Sequence, residues 1–308
     1  MGFLYLLEKI RVPGLNELML TVTHLGEETA FLVLALIVFW CVDKYHGYYL
    51  LGVGLLGNLA NQFLKILCRI PRPWVKDPNF KPLEAAIPEA GGYSFPSGHS
   101  QTAVGTFGCI AVTQKNRIAR GICIALMVLV PFSRMYVGVH TPQDVLVGIA
   151  MALALVFGLR PILLGKNKHC IGIFFGISLV LSAAYLVYVE LFPFPADVDG
   201  ENLEAAVKNG YTFLGCFAGV LVVLWADEKK LHFRTDAVWW AQILKAVLGL
   251  MVVLAVKEGT KAPLDAIFGG QMAARAVRYF LVVVAAGILW PLSFRWFAKL
   301  GRKQDNAK

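Results

Sequence analysis

Residues 142–164 read PQDVLVGIAMALALVFGLRPILL, and no charged side chain stands between Asp144 and Arg160. A helix needs about 20 apolar residues to cross a hydrocarbon core about 30 Å thick, so this stretch is a candidate span. Thr141-Pro142-Gln143-Asp144 at its start has the form of a capping box with proline at the first helical position. Working outward between charged or Pro/Gly breaks, similar runs occur at 25–42, 48–68, 97–114, 118–138, 170–191, 209–226, 237–257 and 276–297. The reading is an all-α polytopic membrane helix bundle of about nine transmembrane helices.

Composition agrees. Of the 308 residues, 57% are hydrophobic and only 16% charged, and mean hydropathy is +0.63. Soluble domains carry about 25% charged residues, so a disordered chain is excluded and a soluble enzyme disfavoured. A net charge of +9 raises nucleic acid as a partner. The charges, however, punctuate apolar runs instead of forming one basic stripe, so they read as membrane topology and no nucleic-acid partner is expected. The six cysteines form no CxxC pair and no Cys/His cluster, and read as small core hydrophobes.

Residues 1–24 carry Glu8, Lys9, Arg11 and Glu17 within an apolar run broken at Pro13-Gly14, and read as an amphipathic segment on the membrane surface. Residues 25–192 form the expected six-helix core, and 193–308 a three-helix membrane extension. Lys115, Arg117 and Arg120, then Arg160, Lys166 and Lys168, then Lys229, Lys230 and Arg234 fall on one side of such a bundle. So do Lys44 and the tail with Arg295, Lys299, Arg302, Lys303 and Lys308. Positive loops stay cytoplasmic, which puts the N-terminus outside. The loop 69–96, the turn 134–140, the acidic loop 197–204 and the segment 257–275 then face the opposite side.

That opposite side collects three segments rich in phosphate-handling residue types. The first, Lys65-Ile-Leu-Cys-Arg-Ile-Pro-Arg72-Pro73, is preceded by Asn58, Asn61 and Gln62 at helical spacing, a polar stripe ending in a cation. Taken alone, Lys65 and Arg72 read better as interfacial anchors and the amides as interhelical hydrogen bonds. The second is Pro96-Ser97-Gly98-His99-Ser100. Ser97 suits a helix cap, Gly98 admits close backbone approach, and free N–H groups there attract an anion, although Pro and Ser also begin helices without any ligand. The third is Ser133-Arg134-Met-Tyr-Val-Gly-Val-His140-Thr-Pro-Gln-Asp144. Arg134 presents a planar fork to oxyanions. Asp144 either holds the His140 imidazole or serves the capping box, and the two roles are compatible.

Together the segments read K-x6-RP, PSGH and SR-x5-H-x3-D, and in this they resemble the type 2 phosphatidic acid phosphatase superfamily, membrane lipid-phosphate phosphatases whose active-site design is shared with vanadium haloperoxidases. The resemblance covers about residues 40 to 165. It implies that His140 is the nucleophile and forms a phosphohistidine, that Asp144 accepts the Nδ1 proton, and that His99 protonates the leaving oxygen and then activates water. It implies that Lys65, Arg72 and Arg134, with the Ser97 hydroxyl and the backbone near Gly98, neutralise the phosphoryl oxygens. No acidic cluster is evident in the sequence, so no metal and no cofactor are expected. The partners expected are the bilayer and a lipid phosphate such as phosphatidic acid, a polyprenyl diphosphate or a sphingoid-base phosphate. The protein is expected to be multi-pass, in the plasma membrane if bacterial or the endoplasmic reticulum if eukaryotic, with its active site extracytoplasmic or lumenal.

Three alternatives stay open: a sugar phosphatase of the glucose-6-phosphatase kind, a non-enzymatic transporter or channel, and a haloperoxidase. Lys245, in the eighth run, is an intramembrane cation without an evident partner. It is either functional, or paired with a carbonyl or polar side chain inside the bundle, or set at a different depth than the run implies. Trp74, Tyr93 and Phe95 suit contact with a lipid chain, and aromatic residues belong at that depth in any case.

Overall fold

A computed structural model describes residues 1–196 and 198–300, and Asp197 of the acidic loop and Arg302, Lys303 and Lys308 of the tail lie outside them. The described residues form helices and turns with no strand. In chain order the helices are α1 Gly2–Lys9, α2 Pro13–His24, α3 Glu28–Cys41, α4 Lys44–Cys68, α5 Pro73–Lys76, α6 Gly98–Thr113, α7 Arg117–Tyr136, α8 Pro142–Leu164, α9 Lys168–Leu191, α10 Gly200–Ala226, α11 Trp239–Gly259, α12 Lys261–Ile267, α13 Ala273–Val284 and α14 Phe294–Phe297. The chain is thus an all-α polytopic membrane protein.

Short polar residues fix the helix starts. Asp43, Asn116, Asn167 and Asp199 each accept a backbone N–H two or three residues ahead, at 2.8–3.3 Å. Such caps contribute about 1 kcal/mol each. Asp199 starts α10 earlier than the run at 209–226 implies, so Glu201 to Glu204 of the expected acidic loop are helical. Glu201 lies in the first turn, where the helix dipole favours a carboxylate.

Among the described residues, 7 helices are long and apolar enough to cross a membrane, or up to 8 if the bent pair α2 and α3, at 50°, counts as one span. The third run, 97–114, becomes α6, only 16 residues long and buried along most of its length. It is a core helix of the bundle packed against α7, too short to cross unaided.

The N-terminal segment departs from a simple surface helix. It forms two helices, with Pro13 at the start of the second, and both pack against α7. Leu4 and Thr23 are fully buried. Arg11 ties the linker down by donating from Nε to Tyr136 O at 3.0 Å and from Nη1 to Lys81 O at 2.6 Å.

Two compact units divide the fold. The first comprises Met1–Leu32, Tyr49–Pro161 and Val187–Asn209, and the second Val33–Tyr48, Ile162–Leu186 and Gly210–Lys308. Two close approaches shape the first unit around the PSGH segment. A Cβ on Gly148 of α8 would lie 2.7 Å from Ser97 O, and one on Gly26, in the bend between α2 and α3, would lie 2.9 Å from His99 O. Only glycine lets both neighbours come this near. In the second unit α11 packs against α12, α13 and α14, and Trp40 Nε1 donates to Ala286 O at 2.9 Å. There Lys245 is fully buried, donates to Thr235 O at 2.9 Å and lies over the Phe294 ring at 4.5 Å, so the carbonyl-bonded alternative describes it. All six cysteines are free.

Candidate active site

The three segments meet in the first unit around a cavity of about 360 Å³. Lys65 arrives from the end of α4, Arg72 from the cap of α5, His99 from the first turn of α6, Arg134 from the last turn of α7, and His140 from the turn before α8. The polar stripe Asn58, Asn61 and Gln62 continues the same wall below Lys65. Two of its amides also bond between elements, as the alternative reading holds: Thr102 Oγ1 donates to Asn58 Oδ1 at 3.2 Å, and Asn61 Nδ2 donates to Pro96 O at 3.4 Å.

Arg72 has every guanidinium nitrogen engaged. Nε donates to Gly92 O at 3.0 Å, Nη2 to Gly91 O at 2.6 Å, and Nη1 to Val139 O at 3.0 Å and to His140 Nε2 at 3.0 Å. Lys65 Nζ donates to Tyr93 O. Three successive backbone carbonyls, 91 to 93, therefore answer two of the cations. Arg134 is different. Its Nη1 donates to Thr23 Oγ1 at 2.7 Å, whereas Nε and Nη2 are buried without a partner among the described residues.

His140 is 2% exposed. Burial first, and then the positive charges of Arg72, Arg134 and Lys65, hold its pKa well below the usual imidazole value, so the ring is neutral. A guanidinium only donates, so Nε2 facing Arg72 is the acceptor and the proton resides on Nδ1. Nδ1 stands 3.6 Å from Asp144 Oδ2, beyond hydrogen-bond range, and has no hydrogen-bond partner among the described residues. The carboxylate is held instead by Ser94 Oγ at 2.6 Å and by the Thr141 N–H at 2.7 Å. The Asp144 N–H donates back to Thr141 Oγ1 at 3.4 Å, which completes the capping box.

Ser97 takes the helix-cap position its type and place suggest. It is fully buried, its hydroxyl is shared with Ser100 Oγ at 2.8 Å and accepts the Ser100 N–H at 3.4 Å, and its own N–H donates to Asp144 O at 3.0 Å. It caps α6 and joins the second segment to the third. Gly98 does reach the cavity, and a Cβ there would meet nothing nearer than Asn61 Oδ1 at 3.5 Å. Packing alone does not demand glycine at this position.

Sequence reading missed Thr23, Ser94 and the carbonyls of 91–93. It also missed acidic residues at the mouth. His24, Glu27 and Glu89 bring possible metal-ligand atoms within 4.8 Å of one another, with His24 Nδ1 2.5 Å from Glu27 Oε1 and 3.4 Å from Glu89 Oε1. Glu27 and Glu89 line the cavity. The expectation that no acidic cluster exists is therefore corrected, because residues far apart in sequence converge at the bend after α2. The pair of short ion contacts gives this trio an internal explanation as well.

Two imidazoles and three cations thus line one cavity of a membrane helix bundle, and comparison with known proteins gives the class. Residues 45–168 match the PAP2 superfamily model, and residues 211–303 match that of the PAP2 superfamily phosphatase, transmembrane extension. Phosphatidylglycerophosphatase B of Bacillus subtilis (strain 168) is 33% identical over 163 residues, 48% of this chain and 75% of the relative. Undecaprenyl-diphosphatase BcrC of the same organism is 30% identical over 115 residues, 37% of this chain and 56% of that relative. No solved structure matches. The chain belongs to the PAP2 superfamily and is a membrane phosphatase.

Proposed function

We propose that this protein hydrolyses the phosphate ester or diphosphate of a membrane lipid in two steps at the cavity between α4, α6, α7 and α8. The observation that carries this reading is the convergence of His99, His140, Lys65, Arg72 and Arg134 on one cavity of about 360 Å³ at helix ends. His140 Nε2 attacks phosphorus in line, the bond to the leaving oxygen breaks, and His99 delivers a proton to that oxygen. Water, losing its proton to His99, then cleaves the phosphohistidine and releases orthophosphate. Arg134, with two unanswered donor nitrogens, is the first anchor for the phosphoryl oxygens. Arg72 and Lys65 join once the oxygens replace the carbonyls of 91–93.

A lipid substrate is supported by the cavity's place at the ends of membrane helices, where a phosphate reaches the cations while its chain stays in the bilayer. The two relatives are named for activity toward phosphatidylglycerophosphate and undecaprenyl diphosphate, and these are the first substrates to try. The pattern of Lys and Arg between the spans supports an active site on the extracytoplasmic face. Phosphate release by the purified protein from a panel of lipid phosphates, lipid diphosphates and glucose 6-phosphate tests the reading. It fails if the sugar phosphate is turned over best, or if His140→Ala retains normal turnover.

A further inference from the structure

A cavity of about 830 Å³ lies in the second unit. Its wall combines Lys230, Arg295 and Lys299 with an apolar floor of Ile288, Pro291 and Leu292. Arg234 lines it too, but Asp236 answers its charge at 2.8 Å. Lys230, Arg295 and Lys299 have no acidic partner among the described residues. The site therefore joins unneutralised positive charge to apolar surface, the complement of an anionic amphiphile.

The backbone of the wall is held in place, and it presents Lys230, Arg295 and Lys299 as exposed side chains. A π-helical turn, Asp227–Leu231, carries Lys230, and a second, Ala285–Leu289, carries Ile288. Such turns occur disproportionately at functional sites. Asp227 pins the first one: its Oδ2 accepts from Lys44 Nζ at 2.6 Å, its Oδ1 from the Phe233 N–H at 3.1 Å, and its backbone carbonyl from the His232 N–H at 3.0 Å. His232 then turns the chain through the left-handed region, at φ 43°. Gln242 and the buried Lys245 both donate to Thr235 O, at 2.8 and 2.9 Å, and Thr235 Oγ1 donates to Val42 O at 3.0 Å. Lys245 is thus a fastener for the non-helical strip that closes the cavity.

Depth follows from the tryptophans. Trp225 ends α10, Trp239 and Trp240 begin α11, Trp296 lies in α14, and all four are exposed. Exposed tryptophan collects where hydrocarbon meets headgroups. The segments bounding the cavity therefore lie at headgroup depth, and Lys230, Arg295 and Lys299 are among the residues whose spacing assigns the cytoplasmic side.

We propose that this cavity is a binding site for the headgroup and upper chains of an anionic phospholipid of the cytoplasmic leaflet, separate from the catalytic cavity. Basic pockets between membrane helices on that side recognise anionic headgroups, with about 1 kcal/mol for each Lys or Arg near the surface, or roughly fivefold in affinity. The inference stands on the second unit alone and does not depend on the catalytic assignment.

The test is lipid retention by the full-length protein in phosphatidylcholine nanodiscs titrated with phosphatidylglycerol, read by native mass spectrometry. Wild type is expected to hold phosphatidylglycerol in preference to phosphatidylcholine. Lys230→Ala, Arg295→Ala and Lys299→Ala should each lower that preference about fivefold, while Lys230→Arg and Lys299→Arg keep it. Leu292→Trp, which fills the floor without changing charge, should also displace the lipid, and it covers the case in which an alanine variant fails to fold. His140→Ala should leave retention unchanged. Equal retention of both lipids by wild type, loss of retention in His140→Ala, or full competition by free glycerol phosphate would each overturn the proposal. The last of these would mark a site for soluble phosphate.

Discussion

Arg72 donates from Nη1 to Nε2 of His140 across 3.0 Å, and this contact both sets the tautomer of the ring and covers the nitrogen proposed to attack phosphorus. The nucleophile is therefore prepared but masked. Phosphoryl oxygens that draw Arg72 toward themselves uncover the lone pair in the same movement. Arg72→Lys keeps a charge but loses the planar fork that makes these contacts together. The expected outcome is a fall in kcat with a rise in KM, measured by phosphate release, in a protein that still folds. Unchanged kcat would show that the contact has no part in readying the ring.

Thr23 brings the N-terminal helices into the site through its 2.7 Å contact with Arg134 Nη1. Thr23→Val preserves shape and removes the acceptor. Hydrogen bonds to charged groups contribute about 1.5–3 kcal/mol, so KM is expected to rise about tenfold or more with kcat less affected. A KM equal to that of wild type would mean that Arg134 needs no help from α2.

Ser94 and the Thr141 N–H hold Asp144 at 2.6 and 2.7 Å while His140 Nδ1 waits at 3.6 Å. Ser94→Ala frees one side of the carboxylate, and a loss of about 1.5–3 kcal/mol in the transition state corresponds to roughly 10- to 100-fold in kcat. Asp144→Asn should be worse, because a neutral amide gives the developing imidazolium no counter-charge. Kinetics in which Asp144→Asn is the milder variant would indicate that the carboxylate serves only the cap of α8.

The His140 pKa is lowered by burial and nearby cations, so the acidic limb of kcat/KM arising from this group should lie below pH 6.5, its ordinary value. The same shift acts on stability. As pH falls below 6.5 the unfolded chain takes up the proton first, so the folded state loses stability until the pH reaches the lowered folded value. A ring titration followed by NMR, beside the pH profile, checks the sign. A His140 midpoint at or above 6.5 would contradict the burial argument.

Chelation by EDTA is expected to leave turnover unchanged, since the proposed steps use only imidazoles and fixed cations. His24, Glu27 and Glu89 give the opposite result a location. Loss of turnover on chelation, abolished in turn by Glu89→Gln, would place a divalent ion at the cavity mouth and revise the chemistry.

The membrane bundle was legible because apolar runs broken by charge are a local pattern, and eight cavity-lining side chains, from Asn58 to His140, announced themselves by type and spacing. What spacing could not carry was the role of backbone. The carbonyls of Gly91, Gly92 and Tyr93 answer Arg72 and Lys65, and a carbonyl leaves no mark in residue identity. Thr23 and Ser94 were visible only as small polar residues, because their partners lie 111 and 50 positions away. Ser97 was legible as a cap from its type and place before α6, and its hydroxyl accepts the Ser100 N–H there.

The ring of carbonyls from 91 to 93 also bears on how the enzyme lets go. In the proposed reaction, orthophosphate left behind after hydrolysis would compete for Arg72 and Lys65 with acceptors tethered to the protein itself, which return without any search through solvent. Release of the inorganic product would thereby be helped by the chain's own backbone, and the expected outcome is weak inhibition by free phosphate, with turnover continuing where that ion is abundant.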